Sequence, residues 1–161
     1  MTRVFIAIGS NLNDPVSQAR QAMAALQASP DVRVIAESSL YSSTPMGPQD
    51  QPDYINAVVA IDTELAPLAL LDLTQNIEQE HGRVRKAERW GPRTLDLDIL
   101  LYGDLQHHCD RLTIPHYGMK VREFVLYPLA EIAPELVLPD GIALTTLLTE
   151  VDRNGLRVWQ D

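Results

Sequence analysis

Asp96 and Asp98 stand two residues apart in the run Leu95-Asp96-Leu97-Asp98-Ile99, and five cations, Arg83, Arg85, Lys86, Arg89 and Arg93, lie directly ahead of them. On a β-strand the side chains alternate between faces, so the two carboxylates share one face about 6–7 Å apart while Leu95, Leu97 and Ile99 turn to the other. Paired carboxylates can hold Mg²⁺, which also takes waters and substrate phosphate oxygens as ligands. Arginine forks donate two parallel hydrogen bonds to phosphate, and phosphoryl or pyrophosphoryl transfer is catalysed mainly by positioning and charge stabilisation. Taken alone, an Asp-x-Asp pair is more often the solvent face of a half-buried strand, and a basic loop is more often an ordinary solvated one. Their juxtaposition favours a site that grips a polyphosphate with one half and its metal ions with the other.

The elements that must position these residues can be read from periodicity and turn chemistry. Residues 4–9 alternate as a strand ended by Gly9-Ser10-Asn11. Asp14 is placed to cap a helix that begins at Pro15 and buries Val16, Ala19, Met23 and Leu26. Residues 32–41 read as a second strand, residues 43–53 (STPMGPQDQPD) as a loop, and residues 54–62 as a third strand. A second helix is predicted over Pro67–His81, with Leu70, Leu73, Thr74 and Ile77 inward and Gly82 as its stop; a basic loop (83–94) and a fourth strand (95–102) follow. The order β-α-β-β-α-β predicts an α+β, ferredoxin-like antiparallel sheet with helices packed on one face. Beyond it come a turn at Tyr102-Gly103-Asp104, a short strand over 112–115, and helices over 122–132 and Leu144–Glu150. These read as C-terminal additions to a single domain spanning 1–161.

Composition narrows the function further. A chain of 161 residues with 45% hydrophobic content can build one real core. The net charge of −9 argues against diffuse attraction to nucleic acid or an anionic membrane, yet five of the 13 Lys and Arg residues fall within positions 83–93. The single cysteine, Cys109, forbids an intrachain disulfide and suits a reducing compartment. The opening residues enter a strand pattern directly, and no apolar run reaches about 18 residues. The expectation is a cytoplasmic monomer with neither membrane nor nucleic-acid partners. His107-His108-Cys109-Asp110 is not read as a zinc site, since its ligands are consecutive and lack a second pair at known spacing. Gly9-Ser10-Asn11 lacks the glycine spacing and lysine of a phosphate-binding loop.

The run Arg89-Trp90-Gly91-Pro92-Arg93-Thr94-Leu95-Asp96-Leu97-Asp98-Ile99-Leu100 resembles the signature of the 6-hydroxymethyl-7,8-dihydropterin pyrophosphokinases of folate biosynthesis. The likeness extends through Ala7-Ile8-Gly9-Ser10-Asn11-Leu12, Gly47-Pro48-Gln49-Asp50-Gln51-Pro52-Asp53-Tyr54 and Thr113-Ile114-Pro115-His116-Tyr117, so it spans nearly the whole chain. It implies a ferredoxin-like fold and transfer of pyrophosphate from the co-substrate ATP to the pterin, leaving AMP. Asp96 and Asp98 would hold two Mg²⁺ ions, Arg83 and Arg93 would be catalytic and grip phosphates, and Trp90 and Arg85 would sit on a loop that closes over the substrates. Gln75, Glu78, Ile99, Arg111, Thr113, His116, Tyr117 and Arg122 would join Arg85, Trp90 and Arg93 on the ATP side. Gln75 and Glu78 are three apart and therefore neighbours on one helical face.

The resemblance also implies a pterin pocket, and its chemistry is legible. A flat heterocycle with an amide-like edge suits aromatic faces and a side chain with both a donor and an acceptor. Asn56 offers the amide and Tyr54 with Phe124 the rings, although Phe124 is equally a core residue by type. Gly9, Ser43, Thr44, Pro45, Met46, Gly47, Trp90 and Asp96 would complete the wall. Where relatives carry a threonine followed by two prolines, this chain has Ser43-Thr44-Pro45, a change that bears on loop rigidity. In the implied reaction the hydroxymethyl oxygen attacks the β-phosphorus in line, with ordered binding and closure of loops 43–53 and 83–94. Two other readings use the same features: another Mg²⁺-dependent nucleotidyl or phosphoryl transferase or nuclease, and an RNA-binding ferredoxin-like module. The second is disfavoured, since the first strand lacks paired aromatics and the charge is −9.

Overall fold

A computed structural model describes residues 1–11, 14–43, 54–81 and 95–160. Strand β1 (Thr2–Ser10) leads into helix α1 (Pro15–Ala28), whose cap is Asp14 in a left-handed conformation (φ 62°), accepting from the Ser17 N–H at 3.3 Å. Ala19, Ala22, Met23 and Leu26 form its buried stripe, as helical periodicity requires. Strands β2 (Val32–Glu37), β3 (Tyr41–Ser43) and β4 (Tyr54–Thr63) follow, then helix α2 (Pro67–His81) and strand β5 (Asp96–Tyr102). The predicted bounds of α2 hold to the residue, although Leu71 is buried where Leu73 only packs partly against the core.

The predicted second strand over 32–41 breaks in two, and the cause is a serine pair. Ser38 N–H donates to the Val58 carbonyl (2.9 Å), but Val58 N–H donates to Ser38 Oγ (2.9 Å) in place of a strand carbonyl. Ser39 then leaves the ladder altogether, since its N–H and hydroxyl both donate to the Glu131 carboxylate. A register shift between Val34 and Ala36 has already turned Ile35 outward. Thus β2 pairs with the C-terminal half of β4, and β3 pairs with its N-terminal half at Tyr41↔Asn56 and Ser43↔Tyr54.

The main sheet is antiparallel in the order β5-β1-β4-β3, with β2 also on β4 and a short C-terminal strand beyond β3. One face is covered by α1 and α2, whose stripes pack on Val4, Ile6, Ile8, Val59, Ile61, Leu97 and Ile99. The expectation of helices on one face holds for this layer only. The C-terminal additions cover the other face: helices α3 (Glu123–Ile132) and α4 (Leu144–Glu150) pack Val125, Leu126, Leu129, Leu144 and Leu147 on Phe5, Val58, Ala60, Leu100 and Leu101. Leu100 faces that layer in phase with Asp96 and Asp98, and Leu101 joins it because the β1–β5 register slips between Phe5 and Ile6, which adds one residue to β5 and sets Leu101 opposite Phe5.

Three features differ from the sequence reading. The strand expected over 112–115 is a minimal hairpin, β6 (His107–His108) with β7 (Thr113–Ile114). A 3₁₀ turn (Met119–Val121) precedes α3. Strand β8 (Arg157–Val158), which had no sequence signal, adds to the edge of β3. No described helix is long and apolar enough to cross a membrane.

Candidate active site

The α3 layer stops short of the end of the sheet that carries Gly9, Asn56 and Asp96, and the gap is a cleft of about 620 Å³. Its floor is made by the cleft-facing positions of three adjacent strands: Ala7 and Gly9 from β1, Tyr54 and Asn56 from β4, and Asp96 and Asp98 from β5, which pair across the sheet at Gly9↔Asn56, Gly9↔Asp96 and Ala7↔Asp98. Strand alternation is what brings the two aspartates here while Leu95, Leu97 and Ile99 are buried beneath. At Gly9 an added Cβ would stand 3.6 Å from Asn56 Oδ1, so the glycine leaves the floor flat beside that amide.

Asn56 is 4% exposed and its Nδ2 donates to Ser43 Oγ at 2.9 Å. That bond fixes the amide orientation and joins two residues expected in the pterin pocket. Tyr54 is exposed at the rim, and Phe124, half-buried in the first turn of α3, stands on the wall with Val121 and Arg122. The Arg122 guanidinium lies over both Tyr117 (5.7 Å) and Phe124 (5.8 Å). This pose depends on Gly118, where a Cβ would meet Arg122 Cζ at 2.8 Å.

Asp98 faces His116, whose Nε2 lies 3.9 Å from Asp98 Oδ2. Burial lowers the His116 pKa; the Asp98 charge opposes that shift and Arg122 adds to it. The Gly118 N–H donates to Nδ1 (3.1 Å), which requires that nitrogen to be bare, so the ring is neutral with its proton on Nε2, toward Asp98. The contact is therefore a polar one and not an ion pair. His116 also stacks on the exposed Tyr117 ring, centroids 4.7 Å apart.

The remaining ATP-side expectations divide. Arg111 Nη2 donates to Asp72 Oδ1 (2.6 Å) and Gln75 Oε1 (3.3 Å), which ties Gln75 of α2 to the segment between β6 and β7; Thr113 Oγ1 is 3.0 Å from His108 Nδ1. Glu78 is corrected. It is 5% exposed, and its Oε2 accepts from the Leu97 N–H at 2.7 Å, so it braces the outer edge of β5 from beneath and does not extend from α2 into open space. The Ile99 side chain is 2% exposed in the core, as strand alternation predicted, so its backbone is the part available to a ligand. Since the Leu97 N–H points away from β1, strand parity turns the Ile99 backbone groups to that same outer edge.

Asp96 and Asp98 supply carboxylate oxygens to one space, a donor set suited to a hard cation completed by waters and phosphate oxygens. Among the described residues no group of three or more His, Cys, Asp or Glu side chains could hold a metal by itself. Two carboxylates leave most of a Mg²⁺ coordination sphere to waters and phosphate oxygens.

Residues 5–134 match the family model for 7,8-dihydro-6-hydroxymethylpterin-pyrophosphokinase. The chain belongs to that family. It is 54% identical over 154 residues to the 2-amino-4-hydroxy-6-hydroxymethyldihydropteridine pyrophosphokinase of Pseudomonas aeruginosa, covering 96% of this chain and 94% of the relative. It is 55% identical over 150 residues to the enzyme of that name from Haemophilus influenzae, covering 93% of each. In fold it is similar to wild-type HPPK-DHPS of Plasmodium falciparum, with a TM-score of 0.71 at 15% identity over 93% of this chain; it spans 43% of that longer chain. The chain is thus a pyrophosphokinase, a transferase that uses ATP as co-substrate and acts on 6-hydroxymethyl-7,8-dihydropterin in folate biosynthesis.

Within this pyrophosphokinase, Arg83, Arg85, Trp90, Arg93, Thr44, Pro45, Met46 and Gly47 lie outside the described residues, as do the loops whose closure was expected. The structure adds six cleft residues that were not among the expected site residues: Ala7, Ile8, Val121, Glu123, Val125 and Asn154. Val121 and Glu123 flank Arg122 and could have been found from it. Asn154 comes from the C-terminal turn, and its only sequence signal is the Asn154-Gly155 turn pair.

Proposed function

We infer that pyrophosphate transfer takes place in the cleft between β1, β4, β5 and the start of α3, with the pterin on Asn56, Ser43, Tyr54, Phe124 and Gly9 and the ATP tail on Asp96, Asp98, His116 and Arg122. The observation that carries this reading is that Asp96 and Asp98 share one space with Asn56, Ser43, Tyr54 and Phe124. A hydroxymethyl group on a ring held at Asn56 then lies beside the carboxylates that hold the phosphates. Asp96 and Asp98 would hold two Mg²⁺ ions, which when bound neutralise the triphosphate charge and make the β-phosphorus easier to attack.

The chain's own residues supply the rest. Asn56, oriented by Ser43, offers Oδ1 and its remaining N–H to the amide-like edge of the pterin. The Tyr54 and Phe124 rings flank that plane. His116 directs Nε2–H at the carboxylate side of the site and can donate to a phosphate oxygen, while the stacked His116–Tyr117 pair and Arg122 form a cationic aromatic wall. Gln75, Arg111 and Thr113 lie toward the nucleotide end, with the outward Ile99 backbone as a further contact. Arg83 and Arg93 are proposed to stabilise the moving group and Arg85 and Trp90 to cover it, with Thr44, Pro45, Met46 and Gly47 closing the pterin side. The pterin oxygen attacks the β-phosphorus in line and AMP leaves.

The strand order β5-β1-β4-β2 and the two helices on one face support a ferredoxin-like βαββαβ core. The same reading takes residues 1–161 as a single domain, a cytoplasmic monomer whose partners are small molecules and not nucleic acid. The deciding assay incubates the chain with Mg²⁺, ATP and 6-hydroxymethyl-7,8-dihydropterin. AMP should form only when the pterin is present, and EDTA should stop it. Release of ADP or inorganic phosphate, or AMP without pterin, refutes the reading.

A further inference from the structure

The C-terminal turn and strand lie beyond residue 134, where the family match ends, yet the turn reaches the cleft through Asn154. Strand β8 joins the edge of β3 at Tyr41↔Val158 and Ser42↔Arg157, and the Trp159 N–H donates to the Leu40 carbonyl at 2.8 Å. Tyr41 is also paired with Asn56 on its other side, so a single residue separates the strap from the strand that presents the pterin amide. The turn before β8 is held from within: the Arg153 guanidinium donates to the Leu156 carbonyl (3.1 and 3.2 Å) and lies over the Tyr127 ring (4.9 Å), and the Asn154 N–H donates to Asp152 Oδ1 (3.0 Å). These contacts fix Asn154 at φ 51°, a conformation asparagine tolerates better than most residues, and set it on the rim of the cleft.

We propose that Asn154 is a specificity residue for the pterin, a second carboxamide that completes the pocket, with β8 and its turn as the strap that holds it in register with Asn56. A carboxamide carries a donor and an acceptor, the pair that the polar edge of a pterin answers, whereas the phosphate tail of a nucleotide offers acceptors alone. The inference rests on the pterin occupying this cleft, and its test separates the two ideas.

Asn154→Gly removes the amide and keeps the positive φ accessible, whereas Asn154→Ala removes the amide and strains the turn. Titrations of 6-hydroxymethyl-7,8-dihydropterin and of a non-hydrolysable ATP analogue, each with Mg²⁺, are run on wild type, Asn154→Gly, Asn154→Ala and Asn56→Ala, with thermal melts and steady-state kinetics alongside. Asn154→Gly should weaken pterin binding and raise its KM by about threefold to tenfold, the worth of one hydrogen bond, with kcat, ATP affinity and melting temperature close to wild type. Unchanged pterin affinity in Asn154→Gly, or an equal loss for ATP, overturns the assignment. If Asn56→Ala loses pterin affinity while Asn154→Gly does not, only the role of Asn154 fails; if neither changes, the placement of the pterin fails with it.

Discussion

Glu78→Ala removes a buried hydrogen bond that links α2 to the outer edge of the strand carrying both aspartates. In the folded chain the Leu97 N–H donates to Glu78 Oε2 at 2.7 Å, and Glu78 and Leu97 are 5% and 3% exposed. A hydrogen bond to a carboxylate contributes about 1.5–3 kcal/mol, and an orphaned buried donor costs about 1–3 kcal/mol. These two figures describe the same loss from opposite sides, so they are not added, and the expected destabilisation is about 2 kcal/mol. For a chain of this size that corresponds to a fall of about 4–8 °C in melting temperature. In urea the midpoint should fall with the slope unchanged, since nothing else is exposed on unfolding. Glu78→Gln retains an acceptor oxygen of nearly the same reach and should recover at least half of the loss. Turnover should drop in Glu78→Ala as well, through displacement of Asp96 and Asp98. If Glu78→Ala melts within about 1 °C of wild type, or if Glu78→Gln is as unstable as Glu78→Ala, the bracing role is wrong and the carboxylate belongs to some other task.

Asp98→Ala should lower turnover at least about a hundredfold, as loss of a group that stabilises transition-state charge does. Its side chain is 46% exposed, so stability should stay within about 0.5 kcal/mol of wild type, and near-normal pyrophosphate transfer would remove Asp98 from the site. For His116, burial lowers the folded pKa below the unfolded value, so the unfolded chain binds the extra proton. Stability is therefore full above about pH 6.5 and declines as pH falls through it toward the lowered folded value. Urea midpoints between pH 7.5 and 5.5 should fall less in His116→Gln than in wild type, and an NMR titration placing His116 at or above its ordinary value would contradict the neutral ring. Tyr41→Phe removes the 2.6 Å bond from the Tyr41 hydroxyl to Glu131 and should cost about 1–2 kcal/mol by urea denaturation. Burial and that carboxylate hold the Tyr41 phenol pKa well above its ordinary value, so an alkaline absorbance titration of wild type should lack one tyrosine until the fold is lost.

Much of this protein follows from chain-local rules. The period of β5 alone put Asp96 and Asp98 on one face, because a strand has only two. Asp14-Pro15 started α1 and the stripe of Leu70, Thr74 and Ile77 defined α2, since capping and helical periodicity need no distant partner. Other features could not be read that way. Residues 38–40 look like strand by type, and only the distant Glu131 and the Val58 N–H, which take the hydrogen bonds of Ser38 and Ser39, break it. Glu78 and Gln75 sit three apart on one helix in the sequence, yet the first is sealed against β5 and the second meets Arg111 at the surface; which neighbour covers each face is set by packing. The bulge that turns Leu101 toward α3 depends on β1 being the partner of β5. Asn154 reaches the cleft only because β8 pairs with β3, and a two-residue strand has no signal until an edge exists to receive it. The sequence alone determined which chemistry the chain carries, because residue type and short-range spacing fix it. The tertiary structure decided which of those residues share a space, because burial and backbone pairing between distant segments are properties of no single segment.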